Sequence, residues 1–92
     1  MLKITTQIDA AAAVFELEGK LAGPWVQELA ACWRKVANSD RRVRVLLCGV
    51  TFIDDQGREL LADMYRRGAE LVAEGCMNKA VVEQIARDDE HE

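Results

Sequence analysis

The sequence predicts an α/β domain built on a mixed β-sheet, and three observations support this fold class. Two segments of alternating polarity open the chain, strand-like and helix-like segments then alternate, and 92 residues suffice for one domain. Strands that alternate with helices form right-handed βαβ units, so part of the sheet is expected to be parallel. The predicted order is β-β-α-β-α-β-α, with about four strands and about three helices.

The N-terminal part predicts a β-hairpin. The segment LKITTQID alternates in polarity and is rich in β-branched residues, which is typical of a strand. One of its faces comprises Leu2, Ile4, Thr6 and Ile8. The segment AVFELEG likewise places Ala13, Phe15 and Leu17 on one face, and the short link favours antiparallel pairing. The alanines at positions 10–13 also permit a helical extension, so the boundary between turn and strand stays open.

The next segment predicts a helix that begins at Pro24, because proline fits the first helical turn, where its missing N–H costs nothing. Apolar residues then recur with helical spacing. The predicted core stripe consists of Trp25, Leu29, Cys32 and Val36. Trp33 lies beside this stripe, and we interpret both tryptophans as core anchors rather than as a ligand platform. The sequence NSD, residues 38–40, is expected to end the helix.

The second half predicts two further strands and two further helices. The apolar run VRVLLCGV, residues 43–50, is typical of a central strand that is buried on both faces. Helical periodicity starts near Gly57, and Gly68 is a plausible helix end. The apolar face of this helix comprises Leu60, Leu61 and Met64. A shorter strand, AELVAEG, precedes a last helix, KAVVEQIAR, which Asn78 is expected to cap.

The charge and hydropathy of the chain argue against several classes of function. A net charge of −4 argues against general nucleic-acid binding, and the basic cluster DRRVR, residues 40–44, is interpreted as a polar lead-in to a strand. No segment is long and apolar enough for a signal peptide or a membrane span, so a cytoplasmic protein is expected. No phosphate-binding glycine loop is present, and no cofactor is expected.

The cysteines and the single histidine do not predict a metal site. Three cysteines are widely spaced, without a CxxC motif, and His91 lies in the acidic C-terminal segment. This pattern is typical of a chain in a reducing compartment. Cys32 and Cys48 lie in apolar runs and are expected to pack as small hydrophobic residues.

The segment GVTFIDDQGREL places two carboxylates, Asp54 and Asp55, between a predicted strand and a predicted helix. One carboxylate there would cap the helix and meet the positive end of its dipole. Two adjacent acids also suggest a second interpretation, which is phosphoryl transfer to aspartate as in receiver domains. That chemistry needs partners that this chain lacks, since no lysine occurs between Lys35 and Lys79. No catalytic residue is therefore assigned.

The sequence VRVLLCGVTFIDDQGRELLADMYRRG resembles the core of the STAS domain, which is shared by sulphate transporters and anti-sigma factor antagonists. In that family a buried strand runs into a segment of the form Val-x-x-(apolar)-Asp-Ser-Ser-Gly, followed by a helix. The matching positions are occupied by Val50, Phe52, Ile53, Asp54 and Gly57. The resemblance covers roughly residues 13–86 and implies a STAS-like fold.

The resemblance also implies a function, that of a non-enzymatic regulator that binds a protein such as an anti-sigma factor or kinase. In such antagonists the strand-to-helix junction docks onto the partner, which here implies a partner-binding site at Asp54, Asp55, Gln56, Gly57 and Arg58. Phosphorylation of a serine in this segment breaks the docking in the family. Asp55 and Gln56 replace both serines, so no phosphorylation site is expected here.

Three further expectations concern organisation and alternatives. Residues 1–87 are expected to form one STAS-like domain, and residues 88–92 an acidic tail. Because family members commonly continue with another strand and helix, an open sheet edge is expected, which favours pairing with a partner or a homodimer. The alternative function is a small accessory subunit of a membrane transporter ATPase, and a phosphoacceptor or enzyme has less support.

Overall fold

The computed structural model describes residues 2–37, 41–73 and 78–90. The order of strands and helices is the predicted one. The elements are β1 (Leu2–Ile8), β2 (Ala12–Leu21), α1 (Pro24–Ala37), β3 (Arg42–Ile53), α2 (Asp55–Arg66), β4 (Glu70–Val72) and α3 (Lys79–Glu90). The predictions that fall on residues 38–40, on Cys76 and on His91 lie outside the described residues.

The four strands form one mixed sheet in the order β1-β2-β3-β4. Strands β1 and β2 are antiparallel, which confirms the predicted hairpin. Strands β2, β3 and β4 are mutually parallel, as expected for βαβ connections. Phe15 pairs with Val45 and Val45 with Leu71, so the period-two pattern places these three side chains on the same face.

That face and the three helices enclose the hydrophobic core. Fully buried side chains come from the strands and from each helix, among them Phe15, Leu47, Leu29, Leu61 and Ile85. The core therefore lies between the sheet and a helical layer. Packing against this core fixes the orientation of the strands and of their ends.

The opposite face of β3 is not buried, so the prediction of a strand buried on both faces is wrong. Arg44 and Cys48 are exposed and Leu46 is half-buried. Leu46 pairs with Glu16 on β2 and with Val72 on β4, and none of the three is fully covered. The predicted packing of Cys48 is wrong for the same reason, whereas Cys32 does pack against the core.

Helix α1 buries a stripe that is shifted from the predicted one. Its buried residues are Val26, Leu29, Trp33 and Val36. Trp33 is the central anchor, while Trp25 and Cys32 lie partly exposed at the margin. The two stripes differ by a small rotation about the helix axis, and the spacing of apolar residues alone does not choose between them.

Asn78 holds the start of α3 against β3. Its carbonyl oxygen accepts the first helical bond, from the Val82 N–H at 3.1 Å. Asn78 thus stands directly before α3, at the predicted capping position, and its side-chain Nδ2 donates to the carbonyl oxygens of Leu47 at 2.5 Å and Val50 at 2.7 Å. In the described residues β4 pairs with residues 44–46 of β3, and the Asn78 amide supplies donors to two of the carbonyl groups that follow.

The helix ends also differ in detail from the predicted segments. Gly68 follows the C-cap residue of α2 with a φ of 99°, which confirms it as the helix stop. Helix α3 extends to Glu90 and so includes part of the acidic segment. No helix in the described ranges is both long and apolar enough to cross a membrane.

Candidate functional site

The junction between β3 and α2 contains the predicted site residues. Strand β3 ends at Ile53 and α2 begins at Asp55, so Asp54 occupies the N-cap position. Its backbone is extended, with φ −84° and ψ 179°, as N-cap residues require. Its Oδ1 atom accepts the N–H of Gly57 at 2.7 Å, which identifies Asp54 as the capping acid.

The second carboxylate oxygen of Asp54 holds a different part of the chain. Oδ2 accepts the N–H of Gly23 at 2.9 Å, across 31 residues of sequence. The backbone N–H of Asp54 also donates to the carbonyl oxygen of Leu21 at 3.1 Å. Asp54 therefore ties the loop between β2 and α1 to the N-terminus of α2.

These bonds stabilise the ionised form of Asp54. The Gly23 N–H lowers the pKa of the carboxyl below its ordinary value, and the Gly57 N–H lowers it further. The lowered pKa means that the ionised carboxylate is stabilised in the folded protein, with one backbone donor on each oxygen. Asp54 therefore acts as a positioning group for the junction.

Gly57 is buried because α2 approaches the end of β2 closely. A Cβ atom at this position would lie 2.7 Å from the carbonyl oxygen of Leu21, 3.0 Å from Leu21 Cγ and 3.2 Å from Ile53 Cγ2. The first contact is with backbone, which cannot rotate away. Gly57 therefore shapes the junction and is not itself accessible to a partner.

Asp55 and Gln56 are exposed in the first turn of α2, where their side chains are accessible at the positive end of the helix dipole. The predicted site is thus divided. Asp54 and Gly57 act inside the junction, and Asp55 and Gln56 lie on its surface.

Phe52 is a candidate site residue that the sequence reasoning missed. It is 52% exposed, two residues before the capping acid. Strand β3 carries an extra residue at each of two register shifts, so alternation along its last part is broken. Ile53 rather than Phe52 packs against the core as a result. The signal available in the sequence was the aromatic residue itself, two positions before the acidic pair.

Arg58 is oriented partly towards α3. Its guanidinium lies 3.5 Å from a carboxylate oxygen of Asp88, and both side chains are largely exposed. Gln84 donates to the other oxygen of Asp88 at 3.0 Å. Because exposed ion pairs contribute little to stability, Arg58 can exchange this partner for another at small cost.

The accessible residues Phe52, Asp55, Gln56 and Arg58 form what we call the junction patch. It combines one apolar side chain, one carboxylate, one amide and one guanidinium, which suits recognition of another protein. No group of three or more His, Cys, Asp or Glu residues in the described ranges is placed to share a metal ion. The patch offers no nucleophile with an adjacent base.

Comparisons with known proteins give a fold but no sequence family. No family model matches the chain, and no curated protein matches it. Among solved structures, the anti-sigma factor antagonist SpoIIAA in its unphosphorylated form is 11% identical, with a TM-score of 0.62 over 91% of this chain and 98% of that chain. The crystal structure of Mglu is 19% identical, also with a TM-score of 0.62, over 79% of this chain.

The two similarities differ in extent. This chain spans 20% of Mglu, so only a part of that protein is similar, whereas it spans nearly all of SpoIIAA. At these identities the likeness concerns the fold. The fold that the STAS resemblance implied is therefore confirmed, and the chain has the fold of the anti-sigma factor antagonist SpoIIAA.

Proposed function

We propose that this protein is a non-enzymatic regulator of the anti-sigma factor antagonist type, which binds a protein partner through the junction patch. The observation that carries the proposal is the double anchoring of Asp54, which holds the first turn of α2 in a fixed position. Asp55 and Gln56 are thereby presented in a preorganised arrangement, which lowers the entropic cost of binding. The SpoIIAA-like fold over 91% of the chain supports this class of function.

The partner is proposed to contribute a basic group opposite Asp55 and an apolar pocket for Phe52. Asp55 carries a charge three residues after the exposed Phe52, and an interface commonly centres on one buried aromatic anchor. The charge would contribute mainly to the association rate and to the choice of partner. An anti-sigma factor or kinase with an arginine at its docking surface has the required chemistry.

Binding is proposed to be constitutive with respect to phosphorylation at this junction. Asp55 and Gln56 have no hydroxyl group, and a phosphoserine would carry about −1.5 to −2 charges, which one carboxylate reproduces only in part. The nearest hydroxyl in the sequence, that of Thr51, donates to the carbonyl oxygen of Gly19 at 3.2 Å. The cytoplasmic location predicted from the sequence is part of this proposal.

The experiment is affinity capture from the native cell with the purified protein as bait. Asp55→Lys and Phe52→Ala are expected to reduce capture of the same protein by about fivefold or more, since loss of a central contact costs more than about 1 kcal/mol. Glu28→Lys is the matched charge control, because Glu28 is exposed on α1. Gln27→Ala is the control for side-chain truncation, because Gln27 is exposed on α1.

The identity of the captured protein distinguishes the alternatives. An anti-sigma factor or kinase supports the proposal, whereas a transporter ATPase subunit would support the accessory-subunit function instead. The junction patch is the wrong surface if Asp55→Lys and Phe52→Ala capture every partner as well as the two controls do.

A further inference from the structure

Among the strands of the described residues, β1 is an edge strand, and no strand pairs with its outer side. The sheet order places it at one margin, where every second residue directs its N–H and C=O groups away from β2. Its seven residues contain no proline, and Lys3 is its one charged residue. Edge strands that avoid pairing are usually short, charged, bulged or interrupted by proline. Strand β1 lacks most of these features.

The other margin of the sheet contrasts with β1. Strand β4 has three residues, and one of them, Glu70, is charged and paired with Arg44 at 3.1 Å. Beyond β4, the side chain of Asn78 occupies two of the carbonyl groups of β3. That margin therefore offers a short and partly occupied template, and β1 offers the longer one.

We propose that β1 pairs antiparallel with β1 of a second copy, about a two-fold axis that passes between the two Thr5 residues. This register joins the full length of both strands and places Leu2 opposite Ile8, and Ile4 opposite Thr6. A shift by one residue would place the apolar face of one copy on the solvent face of the other, so the sheet pattern disfavours it. The two sheets would then continue as one sheet of eight strands. This proposal does not depend on the function proposed above.

The side chains of β1 favour a second copy as the occupant. Ile8 is 50% exposed, and in this register it lies beside Leu2 of the second copy. Leu2 is only 6% exposed and belongs to the hydrophobic core, so the contact would extend the core of each copy towards Ile8 of the other. Lys3 faces Gln7, so like charges do not meet across the axis. The two Thr5 residues face each other, and threonine pairs are favourable across antiparallel strands.

The expected dimer is weak and reversible. A ladder of seven residues per strand buries a small area, at the low end for specific protein interfaces. We therefore expect a dissociation constant in the micromolar range, roughly 10–100 μM. Self-association would increase with protein concentration. It would leave the local structure of the junction patch on each copy unchanged.

The axis at Thr5 gives a decisive test by sedimentation equilibrium. Thr5→Lys and Thr5→Glu each place two like charges opposite one another, and each is expected to weaken dimerisation at least about tenfold. An equimolar mixture of the two variants places opposite charges at the axis and is expected to restore dimerisation. Thr5→Ser keeps the hydroxyl and is expected to dimerise as the wild type does.

Circular dichroism and thermal unfolding establish that each variant is folded, and rescue by mixing shows that neither charge has simply damaged the strand. A wild-type protein that remains monomeric at several hundred micromolar, well above the roughly 10–100 μM expected, overturns the proposal. So does a Thr5→Lys variant that dimerises as strongly as the wild type. A mixture of Thr5→Lys and Thr5→Glu that stays monomeric shows that the axis does not lie at Thr5, and it overturns the proposed register.

Discussion

The two ends of the sheet each use an aspartate, but they use it differently. At one end, Asp9 accepts the N–H groups of Ala11 and Ala12, both at 2.8 Å, and closes the β1–β2 turn. The Arg41 side chain donates to the carbonyl oxygen of Asp9 at 2.6 Å. At the other end, Asp54 accepts the N–H groups of Gly23 and Gly57. Both carboxylates bind two backbone donors, and the pKa of each is lowered by those bonds.

The difference lies in sequence separation. The donors to Asp9 are two and three residues away, so its carboxylate shapes a local turn. One donor to Asp54 is 31 residues away, so its carboxylate joins two separate elements. A long-range contact of this kind fixes the relative position of a loop and a helix. That is why the Asp54 end can present a preorganised surface.

The largest expected effect in this comparison is that of Gly57→Ala. The added methyl group would meet the Leu21 carbonyl at 2.7 Å, so α2 must move away from β2. We expect a loss of about 3 kcal/mol in the free energy of unfolding, at the upper end for overpacking. Urea unfolding followed by circular dichroism measures it.

Gly68→Ala is the matched control for Gly57→Ala. Gly68 has a φ of 99° but open space around the site of a Cβ atom, so the cost there is conformational, about 1–2 kcal/mol. A loss at Gly57 no greater than the loss at Gly68 would mean that the close approach of α2 is not a constraint.

The next effect is that of Asn78→Ala, which removes both donors to the Leu47 and Val50 carbonyls. Leaving these part-buried groups unpaired is expected to cost about 2 kcal/mol, again measured by urea unfolding. Gln84→Ala is the control, because its bond to Asp88 is exposed, and it is expected to change stability by less than about 0.5 kcal/mol. Equal effects of the two changes would contradict the role given to Asn78.

Acid stability tests the two aspartates directly. Since the pKa of each is lowered in the folded protein, each contributes stability above its unfolded pKa of about 3.9 and loses it as the pH falls through the folded value. Asp54→Asn and Asp9→Asn are therefore both expected to lower the midpoint temperature of thermal unfolding near neutral pH. In both variants this temperature should also decrease less steeply than in the wild type between about pH 5 and about pH 2.

Asp54→Asn is expected to have the larger effect of the two. Loss of the Asp54 carboxylate releases the β2–α1 loop from α2, whereas loss of the Asp9 carboxylate loosens one turn. Gln56→Asn is the control, since Gln56 is exposed in the first turn of α2 and has no titrating group, so the pH dependence of stability should stay close to that of the wild type. A larger effect at Asp9 than at Asp54 would reverse the comparison between the two ends.

The sequence predicted the parts of the junction that depend on local chemistry. A carboxylate before a helix is a local signal, and Asp54 is the capping acid. The bond from Gly23 to Asp54 was not predictable, because it depends on how two distant elements pack. The exposure of Phe52 was missed because register shifts leave no mark in hydrophobic periodicity. The open face of β3 was missed because it carries Leu46 and Cys48, so the strand reads as a continuous apolar run.

The smallest expected effect on stability is that of Arg58→Ala, and it separates the structural from the binding role of the junction patch. Its ion pair with Asp88 is exposed, so a double-mutant cycle of Arg58→Ala and Asp88→Ala is expected to give a coupling energy below about 0.5 kcal/mol. In the capture experiment, Arg58→Ala should reduce binding while Asp88→Ala should not. Equal losses of capture would show that the ion pair acts as a unit, and a coupling above about 1 kcal/mol would make Arg58 a structural residue that ties α2 to α3.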